Sequence, residues 1–166
     1  MTQKLRVLFL DIDGVINSTR TAVACGVGYP HELTQLDRFD GVALALIRKL
    51  CHIGELSVVL SSTWRMSFHY HKVANALDLP IIASTDTNGK LRGEEIARWL
   101  EANKDRVESY AIVDDDSDML EEQMDRFVKT DGHEGLSWKN YSDLCTLFGV
   151  DVFADKPTRQ VLEGEQ

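Results

Sequence analysis

Cysteine is sparse in this chain, with Cys25, Cys51 and Cys145 the only three in 166 residues. Their odd number, their scatter and the lack of any Cys-x-x-Cys pair argue against both a disulfide framework and a zinc site, so reduced thiols are expected. Long apolar runs are missing too. No eighteen apolar residues follow one another, and near the N-terminus only Val7–Leu10 is continuously apolar, too short for a signal-peptide core. A soluble cytoplasmic protein with no membrane partner is the expectation. Positive charge is in short supply: 18 Lys and Arg against 27 Asp and Glu give a formal net charge of -9. That balance repels a polyanion unless the cations gather on one face, so strong non-specific nucleic-acid binding is not expected. No Gly-x-x-x-x-Gly-Lys-Ser/Thr sequence occurs, which disfavours a P-loop nucleotidase. Internal repeats and low-complexity tracts are absent as well.

What is present is enough apolar material, 43% of the chain, for one sizeable core and not for two. A single domain over residues 1–150 is expected, followed by a charged tail over 151–166. Short apolar runs at Lys4–Leu10, Ser57–Leu60, Pro80–Ala83, Tyr110–Val113 and Phe127–Lys129 read as buried strands. Between them lie helical patterns at Gly41–Ile53, with Val42, Leu46, Ile47 and Leu50 on one face, and at Ser67–Leu77, Gly93–Asn103, Asp118–Arg126 and Tyr141–Phe148. Alternation of this kind predicts an α/β fold built on a doubly wound, Rossmann-like parallel sheet of about five strands. Segment 17–40 has glycines, a proline and no clean period, and reads as a long loop or small flap after the first strand.

Chemistry concentrates where the apolar runs end. The first run leads into Asp11-Ile12-Asp13-Gly14, two carboxylates on one side of an extended segment with a glycine that lets the backbone turn. Such close like charges call for a divalent cation, and Mg²⁺ suits oxygen ligands. An isolated Asp-x-Asp-Gly is equally well explained as a strand-ending turn. The second run ends in Ser61-Ser62-Thr63, hydroxyls suited to a phosphate or to a helix N-cap. The fourth ends in Asp114-Asp115-Asp116-Ser117-Asp118, more acid than a helix dipole alone accounts for. Lys90 and Arg92 stand just ahead of a helix, where a cation is poorly placed unless it faces an anion. In a doubly wound sheet ligands bind outside the carboxyl ends of the strands, and all these groups fall there.

Taken in order, these four motifs resemble those of the haloacid dehalogenase-like hydrolases, over roughly Leu5 to Lys129. More narrowly, Leu60-Ser61-Ser62-Thr63-Trp64-Arg65, Arg92-Gly93-Glu94-Glu95-Ile96 and Val113-Asp114-Asp115-Asp116 are similar to the branch named after Swiss Army Knife RNA-repair proteins. The resemblance implies a Mg²⁺-dependent phosphatase in which Asp11 is the nucleophile and Asp13 the acid and base. It places the metal on the Asp11 carboxylate, the Asp13 backbone carbonyl and Asp115, and the phosphoryl group on Ser61 with the Ile12 and Ser62 amides. Either Lys90 or Arg92 serves as the phosphate-binding cation, with Arg92 preferred, while Asp114, Asp116, Asp118 and Arg65 are supporting candidates. An aspartate at position 13 favours phosphatase chemistry over dehalogenase or transport-ATPase chemistry. Little or no cap domain is expected, since 17–40 and 67–87 leave no room for one. The open site then suits a nucleotide or a nucleic-acid phosphate end, with another phosphorylated metabolite or a protein as the alternative.

Other signals carry less. His69 and His71, two apart on an expected helix, should point to different faces and not form a metal pair. Trp64-Arg65 suits either packing or stacking on a ring. Trp99 falls on an apolar stripe, and 133–138 reads as a rim loop near the site. A signalling receiver domain and a non-catalytic phosphate-binding protein are the competing classes; the acids on the first and fourth strands count against both.

Overall fold

The computed structural model describes residues 3–26 and 28–157, so the part of the expected tail over 158–166 lies outside the described residues. Five strands form one all-parallel sheet: β1 (Leu5–Leu10), β2 (Leu56–Leu60), β3 (Ile81–Ser84), β4 (Val107–Asp114) and β5 (Phe127–Lys129). Their spatial order is β3-β2-β1-β4-β5, so the chain builds outward on one side of β1, then crosses to the other. That reversal beside β1 is where an open sheet leaves a crevice at its carboxyl edge.

Parallel strands are covered on both faces, which is why these runs are almost uniformly apolar. Along β1 the two-residue alternation sends Leu8 and Leu10 into the larger core and Val7 and Phe9 into a smaller one. The larger core is covered by α2 (Gly41–Gly54), α3 (Tyr70–Leu77) and α5 (Trp138–Phe148), through Ile47, Leu50, Val73, Leu77, Tyr141 and Leu144. The smaller is covered by α4 (Arg92–Ala102), where Ile96 is fully buried and Trp99 meets Phe9 edge to face at 5.5 Å. Among the described residues no helix is long and apolar enough to cross a membrane.

Several local expectations shift. Helix α2 starts where the Asp40 carboxylate accepts the Val42 and Ala43 amides, and its buried face runs through Ala43, Leu44, Ile47 and Leu50, leaving Val42 72% exposed. Strand β4 begins three residues before the apolar run, because its polar start pairs with β1. The stretch at 118–126 forms a 3-10 segment over Glu121–Arg126 and no α-helix; Gln123 is buried and donates to the Gly93 carbonyl, a tertiary tie that local periodicity does not register. Segment 17–40 is more ordered than a loop. It holds α1 (Thr19–Cys25), opened by Ser18 and closed by left-handed Gly26, and a 3-10 turn at Leu36–Arg38. Among the described residues no cap domain interrupts the sheet order.

Candidate active site

Strand β1 delivers Asp11 one residue beyond Leu10, its amide still bonded to the Val113 carbonyl of β4. The chain then turns at Gly14, whose φ of +79° few side chains adopt. The turn is pinned from two directions: Asn17 Oδ1 accepts the Gly14 amide at 3.1 Å, and Thr130 Oγ1 donates to the Gly14 carbonyl at 2.8 Å. Glycine is also required by space. A Cβ there would stand 2.3 Å from Asp115 Cγ, and one at Gly132 would stand 2.5 Å from Asp115 Oδ2. Asp115 is thus seated between two glycines from different loops, beside Asp11.

Strand β2 ends level with β1, since the Ser61 amide bonds the Leu10 carbonyl. Ser61 and Ser62 are fully buried. The Ser62 hydroxyl accepts the Trp64 amide, opening a 3-10 turn over Thr63–Met66, and it and the Ile12 amide lie close enough to Asp11 to favour its charged form. Arg92 arrives from the first turn of α4, where Leu91 offers no side-chain cap; Asp118 Oδ2 supplies it by accepting the Arg92 amide at 2.8 Å. Its guanidinium Nη1 then lies 3.8 Å from Asp11 Oδ1 and 3.7 Å from Asp114 Oδ2.

Behind Arg92, Glu95 Oε2 is 4.0 Å from its Nε and 2.5 Å from Arg65 Nη2. Arg65 also donates to the carbonyls of Ser61, Ser62 and Asp86, and its side chain is only 6% exposed. Its planar fork is therefore committed to holding the β2 loop, and stacking on a ligand is excluded in this arrangement. Removing either charge from the Arg65–Glu95 pair would strand the other in the interior at a cost of about 3–5 kcal/mol.

Asp11, Asp114 and Asp115 bring carboxylate oxygens within 4.8 Å of one another, the cluster of metal-ligating type found among the described residues. Burial pushes the Asp11 carboxyl up to about 6, against the pull of Arg92 and the Ser62 hydroxyl. Burial, then the charge of Asp11, pushes Asp114 up to about 8. Asp115 is raised by burial and by Asp116. Ser61 Oγ, Arg92 Nη1 and Asp114 Oδ2 are buried without a hydrogen-bond partner in the protein. Hard oxygen donors, crowded and reluctant to ionise, with orphaned polar atoms aimed into the same space, fit a small divalent cation and a phosphoryl group.

Asp13 is set apart from that cluster. Its Oδ1 accepts Asn17 Nδ2 at 2.7 Å and its Oδ2 accepts Trp64 Nε1 at 3.1 Å, so the carboxylate is fixed at the mouth of the site by two N–H donors. The sequence offered Trp64, 6% exposed, for packing or for stacking on a ring and not as a donor to Asp13, and Asn17 lies where the pattern is lost.

Of the expected residues, Asp11, Ser61, Ser62, Arg92, Asp114 and Asp115 converge. Lys90 does not; it is exposed, and its amide caps onto Glu94. Asp116 is exposed, its amide bonded to Asp114 Oδ1, while Asp118 serves as the α4 cap. The rim reading of 133–138 meets a loop whose Gly132 and His133 carbonyls accept the Thr19 and Arg20 amides. His69 and His71 differ from expectation. His69 is the N-cap of α3, outside the helix, so helical spacing does not apply; the two exposed rings stack at 5.1 Å and belong to no metal cluster.

No curated protein and no solved structure gives a significant match to the chain. A family model does, that of the HAD domain in Swiss Army Knife RNA repair proteins, over residues 7–141, from β1 into α5. A buried acid triple, paired hydroxyls and a cation at the carboxyl edge of a five-stranded parallel sheet agree with that match. The chain belongs to this family of HAD domains.

Proposed function

We propose that this chain is a phosphomonoester hydrolase acting through an aspartyl phosphate at Asp11, on a nucleotide or a nucleic-acid phosphate end. The observation that carries it is the division of labour between two carboxylates. Asp11 is buried among Ser61, Ser62, Arg92 and Asp114, whereas Asp13 is held outside that group by Trp64 and Asn17. A nucleophile and a proton carrier need those two environments.

In the first step an Asp11 oxygen attacks phosphorus in line, the ester P–O bond breaks, and protonated Asp13 gives its proton to the departing oxygen. In the second, water attacks the phosphorus of the aspartyl phosphate, Asp13 takes the water proton, and the bond to Asp11 breaks to release phosphate. Ser61 Oγ and Arg92 Nη1, neither with a hydrogen-bond partner in the protein, hydrogen-bond the phosphoryl oxygens. Asp11, the Asp13 carbonyl and Asp115, beside Asp114, would hold Mg²⁺, which when bound would supply charge neutralisation to those oxygens. The Trp64 and Asn17 side-chain hydrogen bonds position Asp13 through both transfers.

Purified protein with Mg²⁺ is expected to release phosphate from nitrophenyl phosphate and from members of a panel of 5′- and 3′-nucleotides and phosphorylated oligonucleotide ends. Absence of turnover across that panel would overturn the reading. Release from oligonucleotide 3′-phosphates alone would place the substrate among repair ends, and release from free mononucleotides would make the protein a nucleotidase.

A further inference from the structure

Beside Asp13 opens a cleft of about 380 Å³, within the range of about 300–1,000 Å³ usual for small-molecule sites. Pro30 and His31 of the flap line one part of it, and Trp64, Met66 and Phe68 another. Asp13 is its link to the chemistry. Because a leaving oxygen must meet the Asp13 proton, the group attached to that oxygen lies on this side of the site and not against the acid triple.

We propose that this cleft is the leaving-group subsite and that it selects an uncharged, ring-bearing alcohol of nucleoside size. The proposal rests on the phosphatase reading. Three observations give the chemistry. The lining contains neither Lys nor Arg, and the nearby Arg65 is buried and bound to Glu95, so a second phosphate in the cleft would face the Asp13 carboxylate with no counter-charge. Met66 stands 72% exposed, an apolar thioether with little to pack on unless a ring covers it. The hydroxyls of Thr63 and Ser67 join the lining, suited to sugar or base edges.

The flap wall is tethered. Tyr29, next to Pro30, meets Thr19 Oγ1 at 2.7 Å, and Thr19 meets His133 Nδ1 at 3.0 Å, which ties the flap to the rim loop. The ion pair between Arg20 and Glu134 adds little, since both side chains are about 60% exposed and such a pair is screened by water.

The test compares kcat/KM at pH 8, where a free imidazole is neutral, for adenosine 5′-monophosphate, adenosine 3′-monophosphate, adenosine 3′,5′-bisphosphate and glycerol phosphate. At least one monophosphate is expected to exceed glycerol phosphate by about tenfold or more, and the bisphosphate to fall about tenfold below it. Met66→Ala should shrink the preference for nucleoside over glycerol phosphate several-fold. Met66→Lys should raise the bisphosphate relative to the monophosphate by about tenfold. Wild-type protein that prefers the bisphosphate, treats glycerol phosphate as well as a nucleotide, or keeps its ratios in both variants overturns the proposal while leaving the phosphatase reading intact. Inactivity on every compound, nitrophenyl phosphate included, overturns that reading and the subsite with it.

Discussion

Around Asp11 the polar groups are buried and interlocked, whereas around Asp13 the surface is open, lacks cations and is partly apolar. Ser61, Ser62 and Asp114 have no exposure and the Arg92 side chain has 11%; Met66 has 72%, and His31 and Ser67 are exposed. The contrast teaches where each kind of specificity resides. Buried charge in low dielectric makes the phosphoryl end unforgiving, so it defines the reaction. The open end has few bonds to lose and, in the proposed reaction, would select the alcohol that leaves.

The comparison breaks most sharply at Asp11. Asp11→Asn should lower phosphate release by about a thousandfold or more, as expected for an essential nucleophile, while circular dichroism shows an intact fold. Next comes the cation. Arg92→Ala should lower kcat/KM about a hundredfold by removing a donor aimed at the transferred group, and should lower the melting temperature because Asp11 and Asp114 lose their nearest counter-charge. Lys90→Ala, two residues away and exposed, should change neither by more than about twofold. Equal losses in both variants would refute the assignment.

Trp64→Phe is subtler, because it keeps the ring and deletes the N–H that holds Asp13. An alkyl phosphate, whose poor leaving group needs a proton, should lose about tenfold, and nitrophenyl phosphate far less. A uniform loss on both would mean that the indole only packs.

The smallest effect is thermodynamic. Burial first, then neighbouring carboxylates, raise the Asp11 and Asp114 carboxyls together above the ordinary value of 3.8, into the interval between there and about 8. Their folded pKa values are raised, so the folded state binds the extra protons and stability falls as pH climbs through that interval. Metal-free protein should therefore melt lower at pH 8 than at pH 5. Asp114→Asn should flatten the slope, and Mg²⁺ should raise the melting temperature more at pH 8 than at pH 5. A Mg²⁺ shift equal at both values would argue that the ion binds elsewhere.

Much of this was legible in the sequence because the strands are buried on both faces and their apolar runs end in chemistry. That punctuation marked Asp11, Ser61 and the 114–118 acids as candidates, each with a bland alternative, and only the ordered resemblance to a family singled out Asp115 among the acids. Helix α1 could not, since it is seven residues long and buries only Ala22, which leaves no stripe to see. The choice between Lys90 and Arg92 needed the start of α4 to within one residue, the level at which helix boundaries are least defined by pattern. Trp64 and Asn17 were hidden for another reason: hydrogen bonds from an indole 51 positions away and from a loop amide leave no periodic trace.

The shared carboxylate of Glu95 has one more consequence. It braces Arg65, which clamps the Ser61–Ser62 backbone, and Arg92 in the pocket. Arg65 shares its Ser62-capped turn with Thr63, Trp64 and Met66, so the braced loop and the cleft beside Asp13 are joined through that turn. Met66, 72% exposed on that turn, is the position where a substitution is expected to change the proposed leaving-group preference with least disturbance of the buried groups behind it.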